Sequence, residues 1–222
     1  LSFAFGPKPL FQGLDLRLMP GESYALWGPG GSGKSTLLRI VAGLLPAAGG
    51  SLRVLDTEIF SAYQRVLQNL RARLGLVFQE GALISNMSIF DNIALPLRYH
   101  TGAGEAEVAR RVGGLMATLG LDREADRSLP ALATARVRKL AAIARALILE
   151  PALLLCDEPT AGLEEVSASR VVETLKEYQK KSGAALLLAT LDASLAASLA
   201  SRLGILGKDG ILGEGPPREI LA

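Results

Sequence analysis

The sequence predicts an α/β domain built on a largely parallel sheet, and two observations carry that reading. Apolar runs of strand length alternate with periodic segments of helix length, and a glycine-rich turn at 28–35 lies between one such strand and one such helix. In chain order, Leu1–Met19 reads as antiparallel strand flanking the sheet, Ser23–Trp27 as the strand entering the glycine turn, and Lys34–Ala42 as the helix leaving it. Ser51–Leu55 reads as further antiparallel strand, Ser61–Arg71 as helix and Leu74–Phe78 as strand. From about Glu80 to Leu132 the strand signal fades, and Glu105–Leu119 is the clearest helix of an expected helical insert, with Gly102–Gly104 as a flexible joint. Beyond it, helices at Val137–Leu149, Val166–Lys181 and Ala193–Ala200 interleave with strands at Ala152–Cys156, Ala184–Ala189 and Leu203–Leu206.

Composition narrows the function classes. A length of 222 residues suits one sizeable domain, read as a core of residues 1–79 and 133–222 with the helical insert at 80–132. Lys+Arg 24 against Asp+Glu 22 gives a formal charge of +2, without the broad basic field of a nucleic-acid binder, so no nucleic-acid partner is expected. The single cysteine excludes an internal disulfide framework and a Cys-based zinc site, and fits a reducing compartment. With one histidine, His100, no His-rich metal centre can be built. The mean hydropathy of +0.30 calls for a check for membrane spans. The longest weakly polar stretch, Ala184–Ala200, is interrupted by Thr190 and Asp192 and reads as a buried strand followed by an Ala-rich helix. No signal peptide is legible; the chain begins at Leu1 without an initiator Met, which leaves a trimmed targeting segment open.

Two motifs carry chemistry. Gly28-Pro29-Gly30-Gly31-Ser32-Gly33-Lys34-Ser35, followed by Thr36, satisfies G-x-x-x-x-G-K-[ST] in the required strand-to-helix context. Glycines turn the backbone N–H groups inward, the helix offers its positive end to phosphate, Lys34 would reach the β- and γ-phosphates, and the Ser35 hydroxyl would ligate Mg²⁺. The cofactors implied are ATP and Mg²⁺. The second motif is the apolar run Leu153–Cys156 ending in Asp157-Glu158-Pro159-Thr160. It would deliver Asp157 to the Mg²⁺ shell and Glu158 to polarise the attacking water, while Cys156 is a small buried hydrophobe.

On these residues the chain resembles, along essentially its whole length, the nucleotide-binding subunits of ABC transporters. The resemblance implies a P-loop NTPase of ABC ATPase architecture: a RecA-like parallel core, an antiparallel β subdomain and a helical insert. Val77-Phe78-Gln79-Glu80 is similar to the family's Q-loop, in which Gln79 would touch Mg²⁺ and the attacking water, and Ala141–Leu147 is similar to the helix after the family signature. Phe5 stands where the family has an aromatic residue stacking on adenine; a core-facing strand aromatic is the alternative. Within the family, Phe78–Leu83, Met87–Ile93 and Pro96–Thr101 resemble the ATPases of Mla-type (MCE-associated) lipid transport systems; an ordinary importer or exporter ATPase with a similar insert stays open. The implied partners are a transmembrane permease subunit, met through the helical insert, and a second ATPase chain, a heterodimer being favoured over a homodimer. The implied location is the cytoplasmic face of the inner membrane, peripheral, with membrane contact through the permease.

The sequence departs from the family at three places. The signature segment falls on Ala133-Thr134-Ala135-Arg136-Val137, where Ala135 and Arg136 replace glycines and are expected to obstruct close approach of a partner's nucleotide, while Thr134 offers a hydroxyl and Arg136 a positive charge. Leu191, in Ala189-Thr190-Leu191-Asp192, takes the place of the family's switch histidine, and His100 lies in the insert. Glu164 stands at the D-loop position where the family has Asp. Retained binding residues beside lost hydrolysis residues imply the degenerate half of a heterodimeric ATPase, a chain that binds ATP better than it hydrolyses it; a pseudo-ATPase that binds ATP to hold the membrane complex together without turnover is the alternative.

Overall fold

A computed structural model describes residues 1–6, 8–122 and 126–222, the side chain of Phe5 excepted. The first half runs through β1 (Phe3–Phe5), β2 (Lys8–Phe11), β3 (Ser23–Trp27), α1 (Lys34–Val41), β4 (Arg53–Val54), β5 (Thr57–Glu58), α2 (Gln64–Arg71), β6 (Leu74–Val77) and α3 (Ile89–His100). It continues through α4 (Glu105–Leu119), α5 (Ala135–Leu147), β7 (Leu153–Asp157), α6 (Glu165–Ser182), β8 (Ala185–Thr190), α7 (Ala193–Leu199), β9 (Arg202–Gly207), β10 (Gly210–Gly215) and α8 (Pro217–Ile220).

The central sheet has the order β10-β9-β3-β8-β7-β6, parallel except for β10, which pairs antiparallel to β9. Its inner strands are near-continuous apolar runs because both faces are covered. Alternate residues point to opposite faces. Ala25, Leu154, Cys156, Leu186 and Leu188 join the core shared with α3, α4, α5, α6 and α7. Tyr24, Leu26, Leu153, Leu155, Leu187 and Ala189 join a second core with α1, α2 and the small antiparallel strands.

Several expectations are adjusted. The antiparallel strand expected over Leu1–Met19 is confined to the β1–β2 hairpin, and the one at Ser51–Leu55 becomes the two-residue pair β4–β5. Helix α3 was masked in the sequence by Pro96, which cannot donate a backbone hydrogen bond inside a helix. It forms because Ser88 caps it, accepting from Asp91 N at 3.0 Å, and because buried Asn92 anchors the preceding loop through Ile84 N, Ile84 O, Met87 O and Ser88 O. Strand β10 carries three glycines, too weak a strand pattern to read from the sequence. Among the described residues no helix is long and apolar enough to cross a membrane.

Candidate functional site

Parallel pairing brings the motifs to one edge of the sheet. Trp27 of β3 lies opposite Thr190 of β8, Asp157 of β7 lies opposite Ala189, and Val77 of β6 lies opposite Cys156. The residues that follow these strand ends, Gly28 onward, Leu191, Glu158 and Gln79, therefore gather at the carboxyl edge, where open α/β sheets bind ligands.

The glycine turn has the geometry its sequence requires. Gly28 has φ +151°, and a Cβ there would lie 2.7 Å from the Leu206 carbonyl oxygen, so only glycine fits. Gly33 caps α1 at φ +103°, leaving the first-turn amides of the helix without an acidic neighbour. Ser32 Oγ is buried with no hydrogen-bond partner, and Pro29, Gly30 and Gly31 form the exposed crest. Lys34 is buried, and its ammonium donates to Gly28 O at 2.7 Å and Pro29 O at 3.1 Å. Burial holds its pKa below the ordinary lysine range, while Glu158 and then Asp157 act in the opposite direction. An orphaned hydroxyl and a half-satisfied cation, set in a glycine turn at the start of a helix, together fit an anionic phosphate group. Thr36 is buried in the first turn of α1.

Asp157 is buried at the end of β7, and the Ser35 hydroxyl hydrogen-bonds to it. Burial raises its carboxyl pKa, against the lowering influence of Ser35, Arg39, Lys34 and Lys139. One carboxylate beside one hydroxyl is a hard-oxygen set of the kind Mg²⁺ uses when phosphates and water complete its shell. Because the raised pKa brings protonation to higher pH than for a free aspartate, the Mg²⁺-dependent part of nucleotide affinity should begin to fall on acidification at higher pH than a free aspartate would give. The folded chain favours protonated Asp157, so this group's contribution to stability is present at low pH and is lost as pH rises through its raised pKa. Titrating MgATP affinity against pH checks this: an Asp157→Asn variant should lose both most of the Mg²⁺ dependence and the acid slope, and an identical slope in the variant would refute it.

Glu158 has φ +46°, a left-handed conformation that costs a non-glycine residue about 1–2 kcal/mol. Its Oε2 accepts from Thr190 Oγ1 at 2.9 Å and its Oε1 from Leu191 N at 2.6 Å. The Leu191 side chain is 55% exposed; its carbonyl accepts from the Trp27 indole at 3.2 Å. Gln79 is exposed, and its carbonyl oxygen accepts from buried Lys139 Nζ, which also donates to Glu158 O at 3.0 Å. Gln79, Lys139, Ala135, Ala161 and Gly162 line a cleft of about 280 Å³. The sequence reading missed Lys139, Thr190 and Trp27, each of which adjoins a recognised motif residue across strands or helices that only the fold brings together.

The signature segment is corrected in one respect. Thr134 caps α5, its Oγ1 accepting from Val137 N at 3.2 Å, which leaves the hydroxyl proton free to donate. Arg136, expected to offer a positive charge, is turned back onto the chain: Nε donates to Ser167 Oγ at 2.8 Å, a second nitrogen donates to Gly120 O at 2.9 Å, and Glu164 lies 3.4 Å away. Ser167 Oγ in turn donates to Glu164 Oε1 at 3.0 Å, so the departures at Arg136 and Glu164 are partners. His100 ends α3, edge-on to Tyr99, and lines a cleft with Leu74 and Leu76 of β6. The side chain of Phe5 lies outside the described residues, and with it the adenine-stacking expectation. A groove of about 540 Å³ between α4, α5 and α6 holds Arg110 and Arg111, paired with Glu107 and Glu150 respectively.

A family profile described as ABC transporter matches residues 11–161. The probable ribonucleotide transport ATP-binding protein mkl of Mycobacterium tuberculosis (strain ATCC 25618 / H37Rv) is 33% identical over 221 residues, 100% of this chain and 61% of that protein. The methionine import ATP-binding protein MetN of Rhizobium etli is 34% identical over 218 residues, 98% of this chain and 60% of that protein. The chain thus spans about three fifths of the length of these relatives. The fold is shared with the ATP-binding cassette MJ0796, in a dimeric post-hydrolysis state bound to ADP and Pi, at TM-score 0.91 and 24% identity, over 98% of this chain and 95% of that one. It is also similar to cbiO1 from Clostridium perfringens, part of the ABC transporter complex cbiONQ, at TM-score 0.83 and 25% identity, over 100% and 88% of the two chains.

Proposed function

The chain belongs to the ABC transporter family of ATP-binding subunits, and from that premise we propose that it binds MgATP on Gly28–Thr36 and couples nucleotide-driven closure to a membrane permease. The observation that carries the binding reading is the phosphate cradle, with Ser32 Oγ orphaned and Lys34 held by neutral carbonyls alone. Ser35, Asp157 and Gln79 would hold Mg²⁺, which supplies charge neutralisation at the phosphates when bound. Glu158 acts as general base: hydrolysis joins a water oxygen to the γ-phosphorus, breaks the bond from phosphorus to the bridging oxygen, releases ADP and phosphate, and passes the water's proton to the carboxylate.

In this reading the chain is the degenerate half of a heterodimeric ATPase. It sits peripherally on the cytoplasmic face of the inner membrane, and residues 80–132 form the helical subdomain that meets the permease. Arg136 committed to Glu164 and Ser167 supports a weak contribution to a partner's site, and Leu191 supports weak hydrolysis at the site on this chain's own phosphate turn. The insert's resemblance to Mla-type ATPases supports phospholipid as cargo. A second reading, an ordinary importer ATPase for a polar cargo, is favoured by the relatives' names, ribonucleotide transport and methionine import. Purified alone, the chain should bind MgATP with little turnover, and turnover should appear in the assembled complex. Brisk hydrolysis by the isolated chain, abolished by Glu158→Gln, would overturn the heterodimer reading.

A further inference from the structure

Glu158 is the most constrained polar residue at the carboxyl edge of the sheet. It holds a left-handed backbone that persists in a non-glycine residue only when its surroundings over-determine it. All four of its polar groups are engaged: N donates to Ala189 O at 2.9 Å, O accepts from Lys139 Nζ at 3.0 Å, and the two carboxylate oxygens accept from Thr190 Oγ1 and Leu191 N. The Thr190 hydroxyl is itself directed. Thr190 is fully buried, and its oxygen accepts from Asp192 N at 3.0 Å, which leaves its single proton for Glu158. Asp192 is fixed in turn, capping α7 by accepting from Ser194 N and Leu195 N. The backbone of residue 191 is gripped on both sides, its N–H by Glu158 and its C=O by the indole of Trp27, the residue that enters the phosphate turn.

We propose that Thr190 is a positioning residue which, together with the Leu191 amide, aims the Glu158 carboxylate at the attacking water, so that this site orients its general base without any side chain at position 191. The proposal rests on the reading of Glu158 as the base of a MgATP site. The clamp is built from one hydroxyl and one backbone N–H, and is therefore indifferent to the loss of an imidazole there. Held by two donors, the carboxylate keeps a fixed direction and needs no rearrangement before it accepts a proton.

The test uses Thr190→Val, which keeps the shape and removes the hydroxyl, and Thr190→Ser, which restores the hydroxyl. In the assembled transporter, Thr190→Val should lower kcat for ATP at least tenfold while KM stays within about twofold, and Thr190→Ser should recover most of the loss. In the isolated chain, hydrogen exchange of the Leu191 amide should accelerate about tenfold in Thr190→Val and in Glu158→Gln, and return in Thr190→Ser. Full kcat in Thr190→Val, a change confined to KM, no rescue by serine, or turnover of the complex indifferent to Glu158→Gln would overturn the proposal. Unchanged Leu191 exchange in Thr190→Val overturns it with no nucleotide present. If instead Lys34→Ala leaves MgATP binding intact, the nucleotide reading fails, and the exchange result still decides whether the clamp exists.

Discussion

Replacing Lys34 by Ala should weaken MgATP binding at least a hundredfold while leaving the chain folded. In the free site the ammonium is buried and donates only to two neutral carbonyls of its own loop, with Asp157 and Glu158 as the charges that keep it protonated. A phosphate gives the ammonium an anionic acceptor in addition, and a hydrogen bond to a charged group is worth about 1.5–3 kcal/mol. A hundredfold change corresponds to about 2.8 kcal/mol, within that range. Folding should suffer little, since losing two hydrogen bonds to neutral acceptors is offset by no longer burying a cation. Lys34→Arg should not restore affinity: a planar fork cannot occupy the point-charge position enclosed by Gly28 and Pro29. Calorimetric titration with MgATP, beside a thermal melt, reads both quantities, and unchanged affinity in a folded Lys34→Ala protein would mean that the turn does not hold phosphate.

How much of this was legible in the chain follows from how local each signal is. The glycine turn with Lys34 and Ser35, and the apolar run ending in Asp157-Glu158, are contiguous motifs whose backbone needs are written in glycine and in chain order. The central strands were legible because burial on both faces makes them unbroken apolar runs. Helix α3 was hidden by Pro96, and β10 by its glycines, because tertiary packing overrides weak local propensity there. The clamp on Glu158 could not be read at all. Thr190 is 32 residues from Glu158, and nothing in Ala-Thr-Leu-Asp signals a hydroxyl directed across to β7. The departure of the signature segment from the family pattern is legible in its residues, yet the fate of Arg136 is not, because its partners Gly120, Glu164 and Ser167 lie on elements far along the chain.

That altered segment yields the second large effect: the Glu158→Gln chain, saturated with MgATP, should remain monomeric, and replacing Ala135 and Arg136 by Gly should strengthen its self-association at least tenfold. Helix α5 begins at Ala135 with Thr134 as its cap, so the Cβ atoms of Ala135 and Arg136 sit in the first helical turn, where an approaching phosphate needs bare backbone amides. Arg136 also ties this turn to Ser167, Gly120 and Glu164. With Arg136 about one third exposed and Glu164 two thirds exposed, the ion pair itself contributes at most about 1 kcal/mol, so its removal should not unfold the turn. Each glycine costs about 1 kcal/mol of helix propensity, a tolerable loss at a capped helix start. The control is Ala135→Gly with Arg136→Ala, which breaks the tie to Glu164 but keeps one Cβ at the helix start. Sedimentation velocity separates the cases. If only the double-glycine variant dimerises, the obstruction is steric; if the control dimerises equally, the restraint is the Arg136 tether. A native Glu158→Gln chain that already dimerises with MgATP would mean that two copies of this signature suffice, and the case for a different partner chain would fall.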